Sequence, residues 1–116
     1  MSAEATELRL ERATQTLHVA FADGARFALP AEYLRVESPS AEVQGHSPDQ
    51  RVLVTGKRAV RIVAIEPVGH YAVRLIFDDG HDSGIYSWEW LHMLGREQPA
   101  RWAAYAAALA AAGSTR

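Results

Sequence analysis

The chain has 116 residues, 48% hydrophobic and 22% charged, with 12 Lys and Arg against 14 Asp and Glu for a formal net charge of -2. That length holds one domain with a real core and not two, and the balance excludes both wholesale disorder and the broad positive field that draws phosphate backbones, so nucleic acid is not an expected partner. With no Cys, the chain lacks disulfides, thiolate zinc sites, cysteine-ligated iron–sulfur clusters and a thiol nucleophile.

The opening MSAEATELRLERA carries acids throughout and no apolar run, which does not fit a signal peptide, and residues 1 to 13 are expected to form a loose, flexible arm. In TLHVAFADGARFALP, Leu17, Val19 and Phe21 alternate with His18 and Ala20 ahead of Asp23 and Gly24. Asp-Gly supplies the positive φ of a tight turn, so this stretch predicts a first β-hairpin. Pro30 before AEYLR predicts a short helical turn, since proline fits the first helical position. Pro39 and Pro48 then bracket SPSAEVQGHSPD, which reads as a loop of the length that often carries function.

The long stretch RVLVTGKRAVRIVAIEPVGHYAVRLIFDDGHDSGIYS is expected to supply the rest of the sheet, broken at Thr55-Gly56-Lys57 and at Pro67-Val68-Gly69. Tyr71, Val73, Leu75 and Phe77 fall on one face at period two, and Asp79-Gly80 marks another hairpin with residues 82 to 86 returning. Ser87 is placed to cap a helix whose first turn holds Glu89 and whose apolar face holds Trp88, Trp90, Leu91, Met93 and Leu94, with Gly95 as its stop. A second helix is expected from Pro99 to Gly113, with Trp102, Tyr105 and Leu109 at helical spacing. Its run from Ala103 to Ala112 is far shorter than the roughly 20 apolar residues a spanning helix needs, so no membrane is expected and a cytoplasmic location is. The predicted fold class is α+β: an antiparallel β-sheet built from hairpins with short helices at the C-terminal end, one domain over residues 14 to 112 and a tail over 113 to 116.

His81 is the sharpest candidate for chemistry, because imidazole is both a ligand and a proton-transfer group near neutral pH, and Asp78, Asp79 and Asp82 stand around it. Asp-Asp-Gly is also ordinary turn chemistry, in which the histidine would bond a backbone carbonyl, and the local sequence favours that reading. His81 and Asp82 are adjacent, the wrong spacing for a non-haem iron site, and His92 lies within an apolar helix where a structural role is expected. Lys57, Arg58 and Arg61 read as a solvated basic patch, and Trp88, Trp90, Trp102 and Tyr105 as the seam between the C-terminal helices and the sheet. No serine sits in a nucleophile elbow, TGKR lacks the glycines of a phosphate loop, and no signal pairs a nucleophile with a base. The expectation is a protein that is not an enzyme.

LRVESPSAE, the Gly45-His46 pair after it, IEPVGHYAVRLIFDDGHDSGIYSWEWL and the closing Leu94-Gly95 together resemble the DUF971 family over roughly residues 14 to 112. That family is similar to the N-terminal domain of gamma-butyrobetaine hydroxylase, which precedes a 2-oxoglutarate and iron dependent oxygenase domain. The domain there holds a structural zinc ion through three cysteines spaced C-x-C-x-x-C after a Leu-Arg pair and one histidine in an Asp-Gly-His turn. By the resemblance, Ser38, Ser40 and Val43 occupy the cysteine positions after Leu34-Arg35, and His81 the histidine. The resemblance therefore implies a degenerate metal site, no cofactor, and no hydroxylase activity, because the oxygenase domain is absent from this chain.

An alternative has His81, His46 and Glu42 converging as a two-histidine, one-carboxylate set for zinc or iron, or for a small ligand. Members of the family also resemble a domain appended to plastid Mrp-type iron–sulfur scaffold ATPases. That likeness implies an accessory or adaptor role with a protein partner, of the iron–sulfur assembly type, and an interaction surface at Ser38, Ser40, His81, Asp82 and Tyr86.

Overall fold

Alternation begins earlier in the chain than expected. In the computed structural model, which describes residues 3 to 116, β1 (Ala5–Glu11) pairs antiparallel with β2 (Thr16–Phe21), and β2 with β3 (Arg26–Pro30), in the order β1-β2-β3. The segment expected to be a loose arm is thus an edge strand from Ala5 onward, while Met1 and Ser2 lie outside the described residues. Its acids hid a period-two pattern: Leu8 faces Val19 and Leu10 faces Leu17, both packed on the core, while Glu7 and Arg9 are exposed. The predicted hairpin stands, with Gly24 at φ 91° and Asp23 Oδ1 accepting the Ala25 N–H at 2.8 Å.

Pro30 leads into α1 (Ala31–Val36), almost every residue of which is buried. Where a plain loop was expected, α2 (Ala41–Gln44) and a 3-10 turn (Pro48–Gln50) follow. Residues 51 to 54, Val-rich and expected in the sheet, belong to no strand. The second sheet is built instead from β4 (Ile62–Val68), β5 (Ala72–Phe77) and β6 (Ile85–Ser87), in that order and antiparallel. The predicted α+β class holds, with two three-stranded sheets in place of one. Pro67, expected to break the chain, lies inside β4, where an edge position lets the missing N–H face away from the ladder. Val73, Leu75 and Phe77 face the core as predicted, whereas Tyr71 precedes the strand and is 58% exposed.

Ser87 caps α3 (Trp88–Arg96), its hydroxyl accepting the Trp90 N–H at 3.1 Å. Gly95 does not stop that helix. It is the last helical residue but one and lies against Phe27, whose ring would sit 2.3 Å from any Cβ placed there, so the glycine serves close packing between α3 and β3. After it, α4 (Gln98–Ala111) runs as predicted, burying Leu109 and half-burying Trp102 and Tyr105.

Leu17, Val19 and Leu29 of the first sheet meet Ile62, Leu75 and Phe77 of the second, with Tyr33, Leu34, Leu91 and Leu94 filling the space between. Two buried tyrosines tie this core to backbone: Tyr33 donates to the Leu94 carbonyl at 2.6 Å and Tyr86 to the Leu34 carbonyl at 2.5 Å. Burial pushes both phenols well above their ordinary range, so each stays a neutral donor. Among the described residues no helix is long and apolar enough to cross a membrane.

Candidate functional site

The turn between β5 and β6 is closed by Phe77 N–H to His81 carbonyl at 3.0 Å, with Gly80 at φ 90° allowing the reversal. Asp79 Oδ1 accepts the His81 N–H at 3.0 Å, which fixes the residue just after the turn, where its ring is buried. The ring meets the loop that leaves α1. His81 Nε2 lies 2.9 Å from Ser38 Oγ and 3.5 Å from Ser40 Oγ, while Nδ1 lies 3.4 Å from Glu42 Oε2. Ser83 adds a second link by donating to Glu42 Oε1 at 2.8 Å. One imidazole thus fastens two loops that are 43 residues apart in sequence.

Gly84 lets them come that close: a Cβ there would stand 2.6 Å from Ser38 Oγ and 2.9 Å from the Tyr86 ring. Beside the staple, Asp79 Oδ2 takes Arg35 Nε at 2.8 Å and Lys57 Nζ at 2.7 Å. Burial alone would raise the Asp79 carboxyl, but the bonds from Lys57, the His81 N–H and Arg35 outweigh it and hold it at about 2. Lys57, expected in a solvated patch, is committed to this carboxylate. Arg35 Nη1 is a buried donor with no partner among the described residues.

His81 titrates below its ordinary value because it is buried and because Arg35 stands near, effects that Glu42 and Asp79 only partly offset. The ring is therefore neutral at pH 7. A carboxylate at Nδ1 can only accept, so the proton sits on Nδ1 and Nε2 accepts from the Ser38 hydroxyl. Long-range proton–nitrogen correlation spectra at pH 7 are expected to show the Nδ1-H tautomer. Observation of the Nε2-H form would reverse the direction of the Ser38 bond.

The order Ser38, His81, Glu42 is that of nucleophile, base and acid, a pairing that the sequence did not reveal. Its burial is inverted with respect to catalysis. Ser38 is 0% exposed, whereas the Glu42 side chain is 68% exposed, so a substrate carbonyl cannot reach the hydroxyl in this conformation.

Of the residues expected at an interaction surface, Ser38, Ser40, His81 and Tyr86 are buried and only Asp82 is exposed, where it pairs with Arg74 at 3.6 Å. The expected surface is therefore an underlying scaffold. Exposed around this stretch are Glu42 and Ser83, bonded to each other, then Asp82 and Ile85, the last 47% exposed and opposite Arg74 in the sheet.

The alternative metal set does not assemble. His46 is exposed and bonds Gln50 Oε1 through its backbone N–H at 3.1 Å, and among the described residues no three His, Asp or Glu side chains are grouped to hold an ion. The positions that the resemblance assigns to the zinc-binding cysteines hold other donors or none. Ser38 and Ser40 reach His81 as neutral hydroxyls, and Val43, 2% exposed, offers only methyl groups.

Sequence reasoning also missed a second cluster. Glu37, whose side chain is 4% exposed, is held by Arg51 Nη2 at 2.7 Å and Arg101 Nη1 at 3.2 Å. Those partners come from three separate stretches, and no local pattern announces them.

The model of the family described as gamma-butyrobetaine hydroxylase-like, N-terminal, matches residues 8–92. Two NMR solution structures are similar over almost the whole chain. One is 45% identical with a TM-score of 0.86, covering 100% of this chain and 91% of its own. The other is 50% identical with a TM-score of 0.85, covering 99% and 86%. A crystal structure of a DUF971 protein of unknown function from Acidithiobacillus ferrooxidans is 41% identical, with a TM-score of 0.66 over 79% of this chain and 92% of that one. No curated protein matches. The family match spans both loops that the His81 ring joins, and with that agreement of sequence and fold the chain belongs to the gamma-butyrobetaine hydroxylase-like N-terminal domain family, DUF971.

Proposed function

We propose that this chain is a non-enzymatic accessory or adaptor domain that recognises a protein partner through the shell over the His81 staple, formed by Glu42, Asp82, Ser83 and Ile85. The observation that supports it is the pre-ordered pair of loops: a buried imidazole holds them together while the serine hydroxyls facing it, Ser38 and Ser40, are themselves buried. A surface fixed in advance loses little entropy on binding. An exposed apolar side chain with exposed carboxylates on the same stretch of chain suits a partner with an apolar contact and basic flanks. The family's likeness to domains on iron–sulfur scaffold ATPases supports a partner of the iron–sulfur assembly type.

Affinity capture from the native cell extract, with purified full-length bait and the double variant Asp82→Ser, Ile85→Glu alongside, tests this reading. Both positions are exposed, so the variant is expected to keep its melting temperature and lose a reproducible partner that the parent retains. The same partners on both baits would reject the proposed face. Elemental analysis of the tag-free protein covers the competing reading, since stoichiometric zinc or iron lost in His81→Ala would make this a metal protein.

A further inference from the structure

Residues 51 to 55, Arg-Val-Leu-Val-Thr, have the composition of a strand and pair with no strand among the described residues. Val52 and Leu53 are 50% and 38% exposed. The Val52 N–H is taken by the Val43 carbonyl at 2.8 Å and the Val54 carbonyl by the Tyr105 hydroxyl at 2.7 Å, whereas Leu53 has no partner for its N–H or carbonyl among the described residues. Free donor and acceptor on one exposed residue are the elements of a sheet edge.

This edge borders a cleft of about 560 Å³. Its opposite wall is α4, which contributes Ala100, Ala104 and Ala108 at intervals of four residues. The row of methyl groups along the cleft leaves room for apolar side chains of an added strand. At one end stands the buried Glu37 with Arg51 and Arg101. Glu97, also in the lining, is held by Arg101 Nε at 3.1 Å. Arg51 is the cation with donors to spare: it meets Glu37 through Nη2 alone, its side chain is 40% exposed, and its Nε and Nη1 have no protein partner among the described residues.

We propose that the cleft binds an extended apolar segment of a partner protein, which adds to residues 52 to 54 as a β-strand and sets an acidic side chain against Arg51. The hydrogen-bonding edge asks for a polypeptide backbone, the alanine wall for apolar side chains, and the spare guanidinium donors for a carboxylate. The site shares no residue with the shell over His81 and stands independently of the function proposed for that shell.

The test is titration of the isotope-labelled full chain with the peptide acetyl-Ser-Val-Leu-Val-Glu-Ser-amide and its Glu-to-Gln counterpart, followed by amide NMR. Shifts are expected at Leu53, Val54 and Ala104, with binding about tenfold weaker for the Gln peptide. Ala104→Trp, which fills the cleft from an exposed position, and Leu53→Pro, which removes the edge donor, are both expected to abolish the shifts. Spectra unchanged elsewhere confirm that each variant folds, and Ala104→Trp keeps the test open if Leu53→Pro does not. No shift at residues 52 to 54 with millimolar peptide, equal binding of the two peptides, or self-association of the chain through the same amides would each overturn the proposal.

Discussion

Replacing Arg51 and Arg101 together by methionine is expected to destabilise the fold by about 3 kcal/mol, while either replacement alone removes about 1 kcal/mol or less. The asymmetry follows from which partner is dry. The Glu37 side chain is 4% exposed, whereas those of Arg51 and Arg101 are 40% and 26% exposed. An arginine left alone turns to water. A carboxylate at the end of α1 cannot, because the Glu37 N–H is bound to the Tyr33 carbonyl at 3.0 Å and its carbonyl to Trp90 Nε1 at 3.0 Å. One guanidinium suffices to keep the charge compensated, and the second loss strands it. Urea unfolding of the parent, the two single variants and the double variant would measure the coupling. A double loss equal to the sum of the singles within about 0.5 kcal/mol would show that Glu37 finds other partners. Glu37 precedes Ser38, so the same cluster fixes where α1 releases the chain into the His81 staple.

The parts of this fold that the sequence announces are those settled by near neighbours. Asp23 and Gly24 define a turn whatever lies elsewhere, and Ser87 caps α3 through a bond to Trp90 three residues on. Strand identity is different, because a strand exists only against a partner. Residues 51 to 54 look more like a strand than residues 5 to 11 do, yet the charged segment pairs with β2 and the valine-rich one pairs with no strand among the described residues. Composition describes the surface a strand can tolerate, and topology decides whether a neighbour arrives. Gly95 misleads for a similar reason: locally it is a helix stop, and only the Phe27 ring across the core explains it as a packing contact.

At the site, the convergence of Ser38 and Ser40 on His81 was legible through the family's spacing of metal ligands, which preserves a geometry after its metal donors have changed. What that spacing leaves out is depth. Ser38 and Tyr86 lie beneath the surface they were expected to form, because the Ser38 hydroxyl faces His81 and the Tyr86 hydroxyl reaches the Leu34 carbonyl. Ionic partners were not legible at all. Arg35 reaches Asp79 from α1, 44 residues away, and Lys57 from the loop before β4, and only the folded chain brings them together.

Acid is expected to loosen the turn that carries His81 in two stages. The Asp79 carboxyl lies at about 2 in the folded protein against an ordinary 3.8, so the unfolded chain binds its proton more readily. A depressed carboxylate contributes its stability in full above the unfolded value, and the contribution is lost as pH falls from about 5 toward 2. After allowance for solvent screening of a side chain 18% exposed, the loss is roughly 1 to 2 kcal/mol. His81 acts at higher pH and with the same sign. Its folded value is below the ordinary 6.5, so the unfolded chain again takes the proton first and stability declines as pH falls below that point. Thermal unfolding of the parent and Asp79→Asn between about pH 7 and pH 2 separates the stages. The variant is expected to start lower, because Arg35 and Lys57 lose their carboxylate, and then to run flatter below about pH 5. Parallel curves in that range would remove Asp79 as the acid-labile group. Because Asp79 Oδ1 also holds the His81 N–H, its protonation weakens the bond that aims the imidazole at Ser38. The loops beneath the proposed partner surface should therefore lose their mutual order before the core does, which amide exchange at His81 and Ser40 would report.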